Sequence, residues 1–232
     1  SQSWSQPTGV PARRYAPGVR FDGLNPDAPA FFDELAVNNT REWWQSQKSR
    51  FTDRVAAPFE ALAAELEPEF GPVKIFRPYR DVRFSADKSP YKLQIGLVTR
   101  ASAAHYLQLS ASGLLIGGGM YQPSPAQLAA FRSLVDDART APDLEATFAE
   151  VSAGGFEPMR DDALRTAPRG FPTDHPRIDL LRLRHLAVGR EEPPDDWMWT
   201  PGALDEIRAA WHVVSVWCDW LHANIATDPE AR

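Results

Sequence analysis

Apolar residues change their spacing twice along this chain. Between Asn25 and Leu66 they recur every three or four positions, the period of a helix face. Asn25 and Pro26 suit a helix start, with Phe31, Phe32 and Leu35 on its inner side. A second helical run carries Trp44, Phe51, Val55, Phe59, Leu62 and Leu66, and opens on a capping-box pair, Asn39 and Glu42. Pro58 lies inside that run and predicts a kink or break. After Gly71 the period falls to two. Four runs, at 73–84, 92–100, 104–112 and 113–121, are joined by short stretches rich in Ser, Gly, Pro and Asp, the pattern of an antiparallel meander. Connections this short leave no room for the crossover helices of a parallel sheet.

From Ser124 the helical period returns. Ser124 and Gln127 make a second capping box, with Pro125 at the first helical position. A shorter helix follows near 142–151, then a long irregular segment over 154–176. Residues 178–187 read as a short helix or turn, and 190–202 as a loop. A last helix from about Pro201 to Ile225 has a seam of Leu204, Ile207, Trp211, Val214, Cys218, Leu221 and Ile225. The expected architecture is α+β: one domain over residues 21–227, with a meander sheet of about four strands flanked by N-terminal and C-terminal helices. Residues 1–20, dominated by Pro, Gly, Ser and Gln, are expected to be a flexible lead-in.

Bulk properties narrow the function classes. The net charge is −6, which argues against general nucleic-acid binding, since that needs a basic footprint. The single cysteine, Cys218, excludes an intramolecular disulfide and a thiolate metal cluster, and points to the reducing cytoplasm. No run approaches the roughly 18 apolar residues of a membrane span, and the N-terminal stretch lacks an apolar signal core. The five histidines show no HxH or HExxH spacing, so no metal is expected, and no cofactor motif is complete. The glycine run at 117–119 follows a strand but lacks the P-loop lysine. It reads as a bulge, a bend or a close backbone approach. Most of the eight tryptophans read as packing, although Trp43, Trp44, Trp197 and Trp199 are placed to stack on a sugar or a base.

One stretch stands apart, FRPYRDVRFSADKSPYK at 76–92. On a strand, Arg77, Tyr79, Asp81 and Arg83 would share one face, and Phe76, Arg80, Val82 and Phe84 the other. Arg80 would then be buried and need a carboxylate or a bound anion. Pro78 marks the strand as an edge or an irregular one. Asp87 forms a turn, Lys88 and Lys92 add cations, and Tyr91 adds a phenol. Guanidinium groups grip carboxylates and phosphates at two points, so an anionic small molecule is the partner this density implies. Arg77, Arg83, Lys88 and Tyr91 are expected to hold its phosphate or carboxylate group, with Arg169 or Arg184 approaching. His175, in the same later loop as Arg169, is a candidate base or metal ligand, or a satisfied structural histidine. If the site were catalytic, Asp81 or Asp87 would be the base and Tyr79 or Tyr91 the acid. An aspartate beside arginines is a weak base, however, which favours binding. Two other readings stay open: a non-catalytic protein-interaction module docking a strand or acidic peptide, and an internal salt-bridge network that serves folding while function lies elsewhere.

The residues Arg77, Arg80-Asp81, Arg83-Phe84, Asp87-Lys88 and Tyr91 carry a resemblance. Together with FFDELAVNNTREWW, GGGMYQPSPAQLAAFR and PRGFPTDHPRIDLLRLRHL, they resemble an uncharacterised bacterial family, domain of unknown function 2461, over nearly all of residues 20–225. The resemblance implies no biochemical function. It also implies a lysine near Arg184, and the arginine present there leaves charge rather than amine chemistry as the need.

Overall fold

The computed structural model describes residues 20–83 and 86–225. The expected lead-in falls outside them except for Arg20, as do Phe84 and Ser85. The first helix, α1 (Asp27–Val37), begins where Asn25 Oδ1 accepts a hydrogen bond from the Asp27 amide at 2.9 Å. Its buried residues are Ala28, Phe31, Phe32 and Leu35.

The next helix, α2 (Arg41–Arg50), departs from expectation at its cap. Thr40, not Asn39, is the N-cap, and its hydroxyl accepts from the Trp43 amide at 3.2 Å. Asn39 is engaged elsewhere, as described below. From α2 the chain passes through a π-helical turn, Phe51–Ala56, into α3 (Ala57–Phe70). The expected disturbance at Pro58 takes this form. Pro58 has no N–H to give to the carbonyl four residues back, and its ring crowds that carbonyl, so the preceding turn widens.

The sheet has six strands among the described residues, where about four were expected. They are β1 (Val73–Ile75), β2 (Gln94–Thr99), β3 (Ala104–Ser110), β4 (Gly113–Met120), β5 (Glu157–Pro158) and β6 (Leu186–Glu192). The order is β1-β2-β3-β4-β6-β5, and every pairing is antiparallel. The first four strands form the expected meander. β6 then docks along β4 where a helix or turn and a loop were expected. A side chain at Gly117 would come within 2.3 Å of the Val188 carbonyl, so the glycine run is a site of close backbone approach. The hairpin between β3 and β4 closes at Gly113, whose φ of 101° lies in the left-handed region.

Among the described residues, four more α-helices follow the meander. The first, α4 (Pro125–Asp136), opens on the Ser124–Gln127 capping box with both reciprocal bonds present. It is followed by α5 (Ala141–Ala153), by the one-turn α6 (Ile178–Leu181) and by α7 (Ala203–Asn224). The long helix α7 packs on β3 and β4. Its indoles anchor it to the sheet: Trp211 Nε1 donates to the Tyr106 carbonyl at 3.2 Å and Trp217 Nε1 to the Leu186 carbonyl at 3.1 Å. Cys218 is buried on this face, and burial pushes its thiol up to about 12. No helix among the described residues is long and apolar enough to cross a membrane.

Candidate functional site

The 76–92 stretch is the connection between β1 and β2. Strand pairing stops at Ile75, where Pro78 and the charges ahead of it no longer suit a ladder. The segment then runs as two irregular legs. They are held by a single bridge between Tyr79 and Tyr91, with Arg80 N donating to the Pro90 carbonyl at 2.9 Å and Lys92 N to the Pro78 carbonyl at 2.7 Å. Connections beyond roughly 12–15 residues without secondary structure of their own are uncommon and often functional. The two-faced strand expected here is therefore replaced by a loop, and the inner face assigned to Arg80 goes with it. Arg80 is half-exposed, not buried, but it is paired as expected: its Nη1 bonds Asp87 Oδ2.

The base of the loop is fixed from outside. Asn39 Nδ2 donates to the Tyr91 carbonyl at 2.9 Å, and the Tyr91 amide donates to Asn39 Oδ1 at 3.1 Å. Trp44 of α2, buried, stacks on the Tyr91 ring at 4.1 Å and 9°. Tyr79 leans on the same layer, 5.4 Å from Tyr91 and 6.4 Å from Trp44. Burial raises the pKa of the Tyr91 phenol, as does the neighbouring Tyr79.

Between α2 and the loop lies a cavity of about 360 Å3. Arg41, Gln45 and Arg80 supply its polar groups, and Tyr79, Val82, Pro90 and Tyr91 its apolar wall. Arg41 and Gln45 are one helical turn apart on α2. The Arg41 guanidinium makes no hydrogen bond or ion pair among the described residues. Neither Arg41 nor Gln45 was singled out from sequence. Both look like ordinary exposed positions on a helix, and it is the Asn39–Tyr91 hydrogen bonds and the Trp44–Tyr91 stack that bring that helix to the loop.

The other expected site residues are distributed differently. Arg83 grips Asp81 at two points, with Nε and Nη2 at 3.0 and 2.7 Å from its oxygens, and both residues are exposed. The Arg83 side-chain bonds hold the Asp81 carboxyl at about 2. The Asp87 carboxyl is likewise lowered, first by Arg80 and then by Ser89. Lys88 Nζ donates to the Val82 carbonyl at 3.0 Å, closing the loop tip. Arg77 is exposed and does not line the cavity. Lys92 lies over the Phe76 ring at 5.3 Å, and burial lowers its pKa, followed by the charge of Lys74.

Arg184 stands just before β6, at the sheet end opposite to the one the loop leaves, and four strand positions from β1. It faces Asp162 at 3.7 Å. Arg169 is exposed in the segment between β5 and α6 and does not line the cavity either. His175 is buried and satisfied: its Nδ1 accepts from the Arg177 amide at 3.0 Å and its Nε2 faces Asp136 at 3.2 Å.

These features define an α+β protein with an open antiparallel sheet and a cleft between its second helix and an arginine-rich β1–β2 loop. The chain belongs to the family described as conserved hypothetical protein (DUF2461), whose model matches residues 27–220. Comparison with curated proteins and with solved structures found no match.

Proposed function

We propose that the cleft between α2 and the β1–β2 loop binds a small molecule bearing a phosphate or carboxylate group. The observation that carries this reading is Arg41, a guanidinium bordering the cavity with no carboxylate of its own among the described residues. Arg80 borders the same cavity from the loop with one side of its guanidinium held by Asp87, so Arg41 and the remaining Arg80 N–H groups are the donors offered to one anion. Binding without proton transfer fits the lowered pKa of Asp81 and Asp87, since strongly acidic carboxylates make poor general bases. Of the residues expected from sequence, Tyr79, Arg80 and Tyr91 belong to this site directly. Asp81, Asp87 and Lys88 shape the loop, and Arg77 and Arg83 belong to its outer surface. A cytoplasmic location suits a chain whose one cysteine is a buried thiol.

A second reading is favoured by the Arg80–Asp87 and Arg83–Asp81 pairs. In it the motif is a folding device for the loop, with function elsewhere. Calorimetric titration of the full chain with phosphate, nucleotides and dicarboxylates separates the two. The anion reading expects saturable binding that Arg41→Met weakens while the melting temperature stays unchanged. The folding-device reading expects no binding, or binding indifferent to Arg41.

A further inference from the structure

The cavity is two-sided, and its apolar side has a specific character. Tyr79 is 54% exposed, and among the described large hydrophobic residues only Val37 is more open. Exposing an aromatic ring is ordinary for an isolated residue, but Tyr79 is not isolated. Its ring is backed by Tyr91, which is in turn stacked on the buried Trp44. The bridge between Tyr79 and Tyr91 ties its backbone to the same layer. The result is a pre-positioned ring on a rigid aromatic base, bordering the cavity next to Pro90 and Val82. Arg41 and Arg80 border it on the charged side.

Resting on the anion-binding reading above, we infer that the ligand is an aryl anion: a planar aromatic ring carrying a carboxylate or phosphate ester. Its ring packs against Tyr79 while its charged group meets Arg41 and Arg80. Aromatic pairs gain beyond the area they bury when a ring is offered in offset or edge-on geometry, and Tyr79 is held where it can offer one. The cavity of about 360 Å3 sits at the small end of the roughly 300–1,000 Å3 found for ligand pockets. That volume suits one ring system and one anionic group rather than a dinucleotide. The lining residues include no carboxylate, and the one carboxylate bonded to them is Asp87, on Arg80.

The test uses the full chain and four probes titrated by calorimetry: benzoate, cyclohexanecarboxylate, phenyl phosphate and inorganic phosphate. The two ring acids differ in planarity and π-face but share the carboxylate, and the two phosphates differ in the ring. The expected result is that each aryl probe binds about tenfold tighter than its non-aromatic partner, a difference of the size that aromatic contacts supply. Tyr79→Leu, at an exposed position where folding is not at stake, should reduce that preference to about twofold or less. The relative strength of benzoate and phenyl phosphate tells which anionic group the site takes. Equal binding of aromatic and non-aromatic probes, still weakened by Arg41→Met, overturns the aryl inference and leaves the anion site standing. A preference that survives Tyr79→Leu also overturns it. No binding of any probe, or binding that Arg41→Met leaves untouched, overturns the anion site beneath it as well.

Discussion

Asn39 acts as a one-residue strand partner for Tyr91. Its side-chain amide gives and takes one hydrogen bond each with the Tyr91 backbone, across 52 residues of chain. That exchange joins the start of α2 to the far leg of the β1–β2 loop, and so places Arg41 opposite Arg80. Asn39→Ala leaves the amide and carbonyl of a buried residue without these partners. An unsatisfied buried polar group costs about 1–3 kcal/mol, and the variant should lose stability of that order in urea unfolding. It should also lose the cleft: anion affinity falls even though Asn39 does not line the cavity. Unchanged stability and affinity would mean that the loop is positioned by other contacts.

The first two helices are held by a different device. Arg50 binds Asp27 at two points, at 2.7 Å each, and reaches Glu34 at 2.7 Å. The Arg50 hydrogen bonds lower the pKa of Asp27 from its ordinary 3.8, against the opposing effect of burial. A carboxylate with a depressed folded pKa contributes stability that is fully present above its unfolded value and is lost as pH falls through its folded value. The contribution is therefore expected intact at neutral pH and lost below about pH 3.8. Glu34 is half-exposed and should add little, because solvent screens it. Arg50→Met should be less stable than wild type at pH 7, with the gap closing as the pH drops below that value. A gap that stays constant down to pH 2 would assign the effect of Arg50 to packing on the Phe31 ring, over which its guanidinium also lies.

Legibility in the sequence followed how local each determinant is. β2 to β4 were readable because their alternation and turn residues are local. The Ser124–Gln127 capping box was readable for the same reason. β6 was not: Leu186, Ala187 and Val188 are all buried, and Gly189 is followed by the charged Arg190, Glu191 and Glu192, so no alternation marks it. It is a strand because β4 offers a glycine edge that accepts its backbone closely. Asn39 was misread as a helix cap because its real partner lies 52 residues away. In the motif the residue types were informative, but the period was not. Counting by twos placed Arg80 inward with Val82, whereas the chain leaves the ladder at Ile75 and the faces cease to apply. Arg41 and Gln45 gave no signal beyond their nearness to Asn39, since a polar or charged residue on an exposed helix face is the ordinary solvated case.

Asp87 competes with any anion for Arg80. Asp87 is exposed and Arg80 half-exposed, and the carboxylate occupies one side of the guanidinium that borders the cavity. Asp87→Asn removes that internal rival. Phosphate affinity of the variant should rise by roughly two- to tenfold, in line with the loss of one screened charge contact. The change reads out in the same titration as wild type, with salt held fixed because screening scales the effect. An affinity that stays the same or falls would show that Asp87 supports the loop more than it blocks Arg80.

The central claim is that Arg41 and Arg80 hold one anion between them. It is tested most directly by anomalous diffraction from crystals of the full chain equilibrated with selenate, at a concentration set by the affinity measured in solution. The account predicts a selenium peak in the cleft within about 4 Å of both guanidinium groups, the separation of a paired anion and cation. It also predicts that the peak is lost in Arg41→Met crystals grown the same way. A peak bound instead at Arg77, Arg83 or Arg184, with the cleft left empty at saturating selenate, would contradict it.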